Sequence, residues 1–341
     1  MKVASFFAGA GGLDLGFKQA GFNVIWANEY DKNIWDTFQS NFPETKLDRR
    51  GILEVKAEEI PDVDLFIGGP PCQSFSEAGA KRGVEDPRGK LFFEYMRLLE
   101  IKKPKVFLAE NVSGILAKRN EAGLKKILDG FAELGYNVSY GLVRASDYGV
   151  PQDRDRVFFV GYRTYLGKVF TLPEKSKVKV TLKDAIWDLR GNAVASLGVD
   201  SNLKAKVANH EYSTQGWSPM FLSRNRVRSW DEQSYTILAS GRQCPLHPQA
   251  PKMVLQEKDH RIFVPGKEHL YRRLSVRECA RIQTFPDDFI FKYHKISESY
   301  KMIGNAVPVL LAKIIAEQIK RDLNKVKPLE KYSAIGLINR Y

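Results

Sequence analysis

The chain has 341 residues, 43% hydrophobic and 27% charged, which allows a sizeable core and argues against disorder. A net charge of +13 and a pI near 9.4 point to a polyanionic partner, because clustered Lys and Arg gain affinity by displacing counterions from phosphates. Three cysteines at unrelated spacings fit neither a disulfide framework nor a zinc site. No run approaches the roughly 20 apolar residues that cross a bilayer, and MKVASFFAGAGG lacks a signal-peptide layout. The expectation is a cytoplasmic, reduced protein with no membrane contact.

The first half alternates short apolar runs with helix-period stretches, the pattern of βα units in a largely parallel sheet. Strands are predicted at VASFFA (3–8), FNVIWAN (22–28), DLFIGG (64–69) and VFLAEN (106–111), then at VSYGLV and RVFFVGY. Asp31 caps a helix over DKNIWDTFQSNF, whose Ile34, Trp35 and Phe38 share a face. KLFFEYMRLLE (90–100) repeats the spacing and stops near Pro104. From about 164 to 270 the rhythm gives way to short runs broken by Pro, Gly, Ser and Asn, a second, irregular region. PVLLAKIIAEQIKRDL (308–323) then reads as an amphipathic helix with Pro308 in its first turn, closing the sheet domain. The terminal KYSAIGLINRY carries no structural signal.

FFAGAGGLDLGF follows the first strand and opens the first helix, so its glycines let a ligand approach helix-end amides. Glu29, in Asn28-Glu29-Tyr30 at the end of the second strand, suits both hydroxyls of a ribose, as it would in an NAD enzyme. In GGPPCQSFS (68–76) two prolines stiffen the chain before Cys72, aiming a thiol at the carboxyl end of a strand, where α/β proteins keep their sites. Cys244 and Cys279 read instead as small buried hydrophobes. Glu110 and Asn111 end the neighbouring apolar strand, and a desolvated Glu110 holds a proton for donation near neutral pH. Arg154 and Arg156, on alternate positions of QDRDRVFF (152–159), point together into the site if strand periodicity extends that far. Successive strand ends thus carry a nucleophile, an acid and a cation.

With these residues in view, the chain resembles the DNA (cytosine-5) methyltransferases over nearly its whole length. The matching segments, in the family's order, are FFAGAGGLDLGF, GGPPCQSFS, AENV, QDRDR, RRLSVRECARIQTFP (272–286) and GNAVP (304–308). The resemblance implies a Rossmann-like α/β sheet domain dependent on S-adenosylmethionine, without metal, and a smaller irregular target-recognition domain. Residues 1–172, completed by 298–327, form the catalytic and cofactor-binding domain; 173–297 form the recognition domain and hinge, and 328–341 a tail. Cys72 adds to C6 of cytosine, Glu110 serves N3, Arg156 contacts O2 and Arg154 supports the pocket. C5 then takes the methyl group.

The resemblance also places Phe7, Gly9, Gly11, Gly12, Glu29, Tyr30, Ile52, Pro71, Asn305 and Val307 around the cofactor. One position departs from the family pattern: Gly51 of Arg50-Gly51-Ile52 stands where a carboxylate usually meets the adenine amino group, leaving Asp48 or the backbone to replace it. Such chemistry requires the base to leave the duplex, and SFSEAGAKRGVEDPRGK (74–90), with Ser76 facing DNA, resembles the mobile loop that closes over it.

The irregular region contains SRNRVRSW (223–230) and ASGRQC (239–244), so Arg224, Arg226, Arg228 and Arg242 are candidate readers of guanine. At least half of protein–DNA bonds go to phosphate and sugar, so only some of the four are expected on bases. With NHEY, LHPQAP and GKEHLYRRL, this region resembles GGCC-specific modification methyltransferases of the HaeIII type, implying methylation of the inner cytosine. The implied partners are double-stranded DNA and, functionally, a cognate restriction endonuclease, with the enzyme a monomer. The competing readings are an RNA (tRNA) cytosine-5 methyltransferase and a catalytically silent DNA-binding regulator. A nicotinamide oxidoreductase leaves Cys72 and QDRDR unexplained.

Overall fold

The computed structural model describes residues 1–71, 87–199, 201, 204–325 and 338–340. Cys72, Ser76 and residues 74–86 of the predicted loop lie outside the described residues. Strands β1 (Lys2–Phe6), β2 (Asn23–Asn28), β3 (Lys46–Asp48), β4 (Leu65–Gly68), β5 (Val106–Val112), β6 (Tyr136–Arg144), β7 (Asp155–Arg163) and β12 (Ile338–Arg340) form one sheet in the order β12-β6-β7-β5-β4-β1-β2-β3. Only β7 runs against its neighbours. The carboxyl ends of β1, β2, β4 and β5 therefore share an edge with the start of β7. All six strands expected from the apolar runs are present; β3 and β12 are additional. β3 is too short for its pattern to be read, and β12 comes from the terminal segment that carried no signal.

Successive residues of the inner strands are buried on both faces, as a covered parallel sheet requires. Ala4, Phe6, Phe66, Phe107 and Phe159 face the core beneath α3 (Pro87–Lys102) and α4 (Glu121–Glu133). Val3, Leu65, Ile67, Leu108 and Val160 face α1 (Gly12–Gln19) and α9 (Val309–Asn324). Alpha-helices 1 and 9 meet closely at Gly16, where a Cβ would lie 2.4 Å from the Ala312 Cβ and 2.7 Å from the Lys313 amide nitrogen. Helix α2 (Lys32–Asn41) begins as expected, with the Asp31 carboxylate accepting from the Asn33 amide at 3.1 Å.

The second half holds short elements. Helix α5 (Leu182–Ile186), strands β8 (Val194–Ala195) and β9 (Glu211–Tyr212), and helix α6 (Pro219–Leu222) precede the hairpin β10 (Val254–Glu257) and β11 (His260–Ile262). Helices α7 (Val276–Ile282) and α8 (Ile296–Asn305) follow. A core of Leu182, Ile237, Leu274, Val276, Phe285 and Ile303 packs this region onto Ile34 and Phe38 of α2. Phe221, Val227, Leu246, Met253 and Tyr271 form a smaller cluster of their own. Cys244 and Cys279 are buried, their sulfurs 3.6 Å apart. Residues Ile296–Asn324 include a window that would pass for a membrane span by length and composition alone. The segment is two helices, α8 and α9, broken at Ala306–Pro308, and its apolar side chains are packed in the protein core.

Asp14, on the first turn of α1, is fully buried, and neither carboxyl oxygen has a hydrogen-bond partner among the described residues. Burial pushes its pKa up to about 7, and the Glu29 carboxylate adds to the rise. The folded chain therefore holds a proton that the unfolded chain releases near its ordinary 3.8. Because the folded value is the higher, this contribution to stability is complete below the ordinary value and is lost as pH rises through about 7. Asp14→Asn is expected to flatten the decline in melting temperature between about pH 5 and about pH 7, a slope of at most roughly 1.4 kcal/mol per pH unit. Parallel slopes in wild type and variant would show that Asp14 is not the titrating group.

Candidate active site

The glycine segment turns sharply at the end of β1. Phe7 and Gly9 have φ of 53° and 56°, and Gly11, which caps α1, has φ of 89°. Phe7 is a bulky residue in the left-handed region, a conformation that persists only where surroundings enforce it. A Cβ on Gly11 would strike the Phe42 ring at 2.3 Å, so glycine is required there by packing as well as by backbone angle. Gly9 differs, since a Cβ there would meet nothing within 4 Å, leaving open space on that side of the turn.

Glu29 ties this turn to β2. One carboxylate oxygen accepts from the Gly9 amide at 2.9 Å and the other from the Asp31 amide at 2.8 Å. Burial raises the Glu29 pKa, and the two backbone donors oppose the rise. Tyr30 beside it is 68% exposed, whereas Ile52 is buried. Asp48, considered as a substitute for the missing carboxylate at Gly51, is engaged elsewhere: the Arg50 guanidinium donates to it at 2.6 Å and to Glu59 at 2.8 Å. The turn after α8 closes over the glycines, with the Val307 carbonyl 2.4 Å from where a Gly12 Cβ would be. Val307 is buried there and Asn305 exposed. Open space beside Gly9, a buried carboxylate and a close-packed backbone turn fit a nucleoside cofactor of the kind the family uses.

Two strands away, Glu110 leaves the end of β5 and lies against Gly69, its Oε2 3.3 Å from where a Cβ would stand. The Arg156 Nε sits 2.7 Å from Glu110 Oε1, an ion pair whose side chains are only 14% and 12% exposed. Burial raises the Glu110 pKa, and the charges of Arg156 and Arg154 oppose it. Asn111 donates to the Pro70 carbonyl at 2.9 Å, fixing the segment that ends in Pro71, the last described residue before Cys72. The antiparallel β7 is what brings its first residues to this edge, with Arg156 opposite Val112.

Arg154 and Arg156 take different partners. Arg154 precedes β7, is fully buried, and donates to the carbonyls of Ile237 at 3.0 Å, Gly304 at 2.8 Å and Ala306 at 2.9 Å. Sequence reasoning passed over Gln152 at the head of the same QDRDR motif. Its side chain accepts from the Ile237 amide at 2.8 Å and donates to Gln283 at 2.9 Å. A glutamine repeating the company of two selected arginines was the available signal.

The four arginines of the irregular region divide into two pairs. Arg226 donates to the Phe221 and Met220 carbonyls and to the Gln243 side chain, joining the two arginine-bearing segments. Arg228 lies 3.1 Å from both Asp153 and Glu232 and stacks over Tyr235. Arg224 and Arg242 are exposed.

The family model for C-5 cytosine-specific DNA methylases matches residues 1–321. A Type II methyltransferase of Fusobacterium nucleatum, M.FnuDI, is 54% identical over 97% of this chain and 97% of its own length. The Type II methyltransferase M.NgoPII of Neisseria gonorrhoeae is 53% identical over 95% of this chain and 97% of its own. Among solved structures, the Entamoeba histolytica methyltransferase EhMeth matches with a TM-score of 0.69 over 95% of this chain and 99% of that one. Its 16% identity speaks to the fold alone. A Rossmann-like sheet with a buried acid and cation at its carboxyl edge is thus joined to a family match across nearly the whole chain. The chain belongs to the C-5 cytosine-specific DNA methylase family and is an enzyme of that class, a DNA cytosine-5 methyltransferase.

Proposed function

We propose that this enzyme methylates the inner cytosine of GGCC in double-stranded DNA, as the modification partner of a type II restriction endonuclease, using a covalent Cys72 intermediate on an extruded base. The observation carrying the reading is the close Glu110–Arg156 pair beside the Pro70–Pro71 segment that leads into Cys72. Cytosine C5 is too weak a nucleophile to be alkylated directly. Addition of the Cys72 thiolate to C6 makes the ring an enamine, and the electron pair gained at C5 becomes available for bond formation. A Glu110 carboxyl whose proton is favoured by burial donates toward N3, while Arg156 both holds that carboxyl and faces O2. Loss of the C5 proton then lets the thiolate leave. When bound, S-adenosylmethionine supplies an electrophilic methyl on a sulfonium. Phe7, Gly9, Gly11, Gly12, Glu29, Tyr30, Ile52, Pro71, Asn305 and Val307 are the residues that would hold it.

Specificity for GGCC rests on the likeness of the recognition segments. Arg224 and Arg242, exposed on those segments, are the better base readers, and Arg226 and Arg228 brace them. Ser76 is the proposed DNA contact on the loop after Cys72.

A 5-fluorocytosine duplex incubated with enzyme and S-adenosylmethionine should yield a denaturation-resistant adduct, because fluorine cannot leave as a proton does. Cys72→Ala should form none and lose methyl transfer while still binding DNA; undiminished transfer would refute the covalent mechanism. Glu110→Gln should lower turnover by about 100-fold or more, with a much smaller change in DNA affinity. Bisulfite sequencing of DNA from cells expressing the protein should place 5-methylcytosine in GGCC, and enrichment in another motif would replace that assignment. Parallel assays with tRNA are expected to show no transfer.

Arg242→Ala should relax sequence choice by about 1–3 kcal/mol at one guanine position. Arg228→Ala should instead lower thermal stability and leave the sequence ranking intact. A uniform loss of affinity for all DNA with Arg242→Ala would assign that side chain to phosphate.

A further inference from the structure

Leu238 is an exposed aliphatic residue on a backbone held from several sides. The Ile237 amide donates to Gln152 at 2.8 Å, and the Ile237 carbonyl accepts from Arg154 at 3.0 Å. The next peptide rests on the last turn of α8, where a Cβ on Gly304 would lie 2.3 Å from the Leu238 carbonyl carbon and 2.4 Å from the Ala239 nitrogen. Gly241, three residues on, packs against the Tyr300 ring, with 2.9 Å between its would-be Cβ and Cδ2. Ile237 is wholly buried, yet Leu238 is 42% exposed. Folding has already fixed the backbone of this segment, so little further ordering is needed for the side chain to meet a partner.

The surroundings identify that partner. On one side Leu238 follows the residue gripped by Arg154, two positions from Arg156 of the Glu110 pair; on the other it precedes the exposed Arg242. It stands along the chain between the proposed chemical site and a proposed reader of bases. The groups a duplex offers an aliphatic side chain there are base faces and sugar edges, and apolar wedges against base steps are a known means of opening a stack.

We propose that Leu238 is a positioning residue for nucleotide extrusion, packing its side chain against the duplex beside the displaced cytosine and stabilising the extruded state. The inference rests on the base-extrusion reading above. It adds an apolar contact to the arginine contacts and makes the Arg154 carbonyl clamp the support that presents it.

The test uses the full-length enzyme and two duplexes carrying its bisulfite-mapped site, one intact for turnover and one with 2-aminopurine in place of the target cytosine for fluorescence. Wild type should raise the fluorescence as the base leaves the stack. Leu238→Ala should lower the extruded fraction and kcat by about tenfold, the scale of burying the exposed part of a leucine. The KM for S-adenosylmethionine and the melting temperature should not change. Leu238→Met, similar in volume and apolar, should restore the signal, and Leu238→Gln should not. Should the alanine variant fail to fold, the methionine and glutamine pair decides. Wild-type fluorescence and turnover in Leu238→Gln would overturn the inference while leaving extrusion intact. No enhancement with wild type would overturn the extrusion reading and this inference with it.

Discussion

A single buried guanidinium joins the parts of this enzyme that have to act together. Among the described residues no carboxylate is hydrogen-bonded to Arg154; it donates to three main-chain carbonyls, from Ile237 of the irregular region and from Gly304 and Ala306 where α8 ends over the glycine turn. Hydrogen bonds to a charged group are stronger than neutral ones, and an unmade bond to a buried charge is costly. The three segments are therefore held in one relative placement, and Arg156, two residues on, is delivered to Glu110 from that fixed point. Gln152 and Gln283 extend the same network, with Gln283 donating to the Ile303 carbonyl at 2.7 Å.

The site works through opposed electrostatics. Taking Glu110 out of water favours its neutral form, while Arg156 at 2.7 Å favours the carboxylate. Neither influence acts alone, and a carboxyl balanced in this way meets the requirement of the proposed proton transfer at a ring nitrogen. Glu29 is treated differently. It too is buried, but two backbone amides compensate its oxygens, so its carboxylate is held in place at the end of β2, as the proposed cofactor contact requires. Two glutamates at the ends of nearby strands thus receive separate tasks from their neighbours.

The interior of the irregular region is held by arginines as well as by apolar contacts. Arg273 stacks 4.0 Å from the Trp217 ring centroid and donates to the Gly216 carbonyl at 2.9 Å, and Arg272 pairs with the buried Glu278 at 2.7 Å. The basic composition that suggested a nucleic-acid partner is therefore partly structural. Charge alone does not separate a reader from a brace: Arg226 and Arg228 lie in the same SRNRVR run as the exposed Arg224, and only their folded contacts distinguish them.

Much of this was legible in the amino-acid order. Apolar runs located the six principal strands, Asp31 marked a helix start, and the motifs placed Glu29, Glu110 and Arg156 at strand ends, because local pattern and backbone chemistry depend on near neighbours in the chain. The edge strands β3 and β12 were missed for want of length or pattern. The roles of Gln152 and Arg154 were decided only by residues far away in sequence, and that of Arg228 in part, through Asp153: hydrogen bonds and desolvation depend on which atoms are within a few ångströms, and those neighbours exist only after the sheet, the α8–α9 turn and the irregular region have packed together.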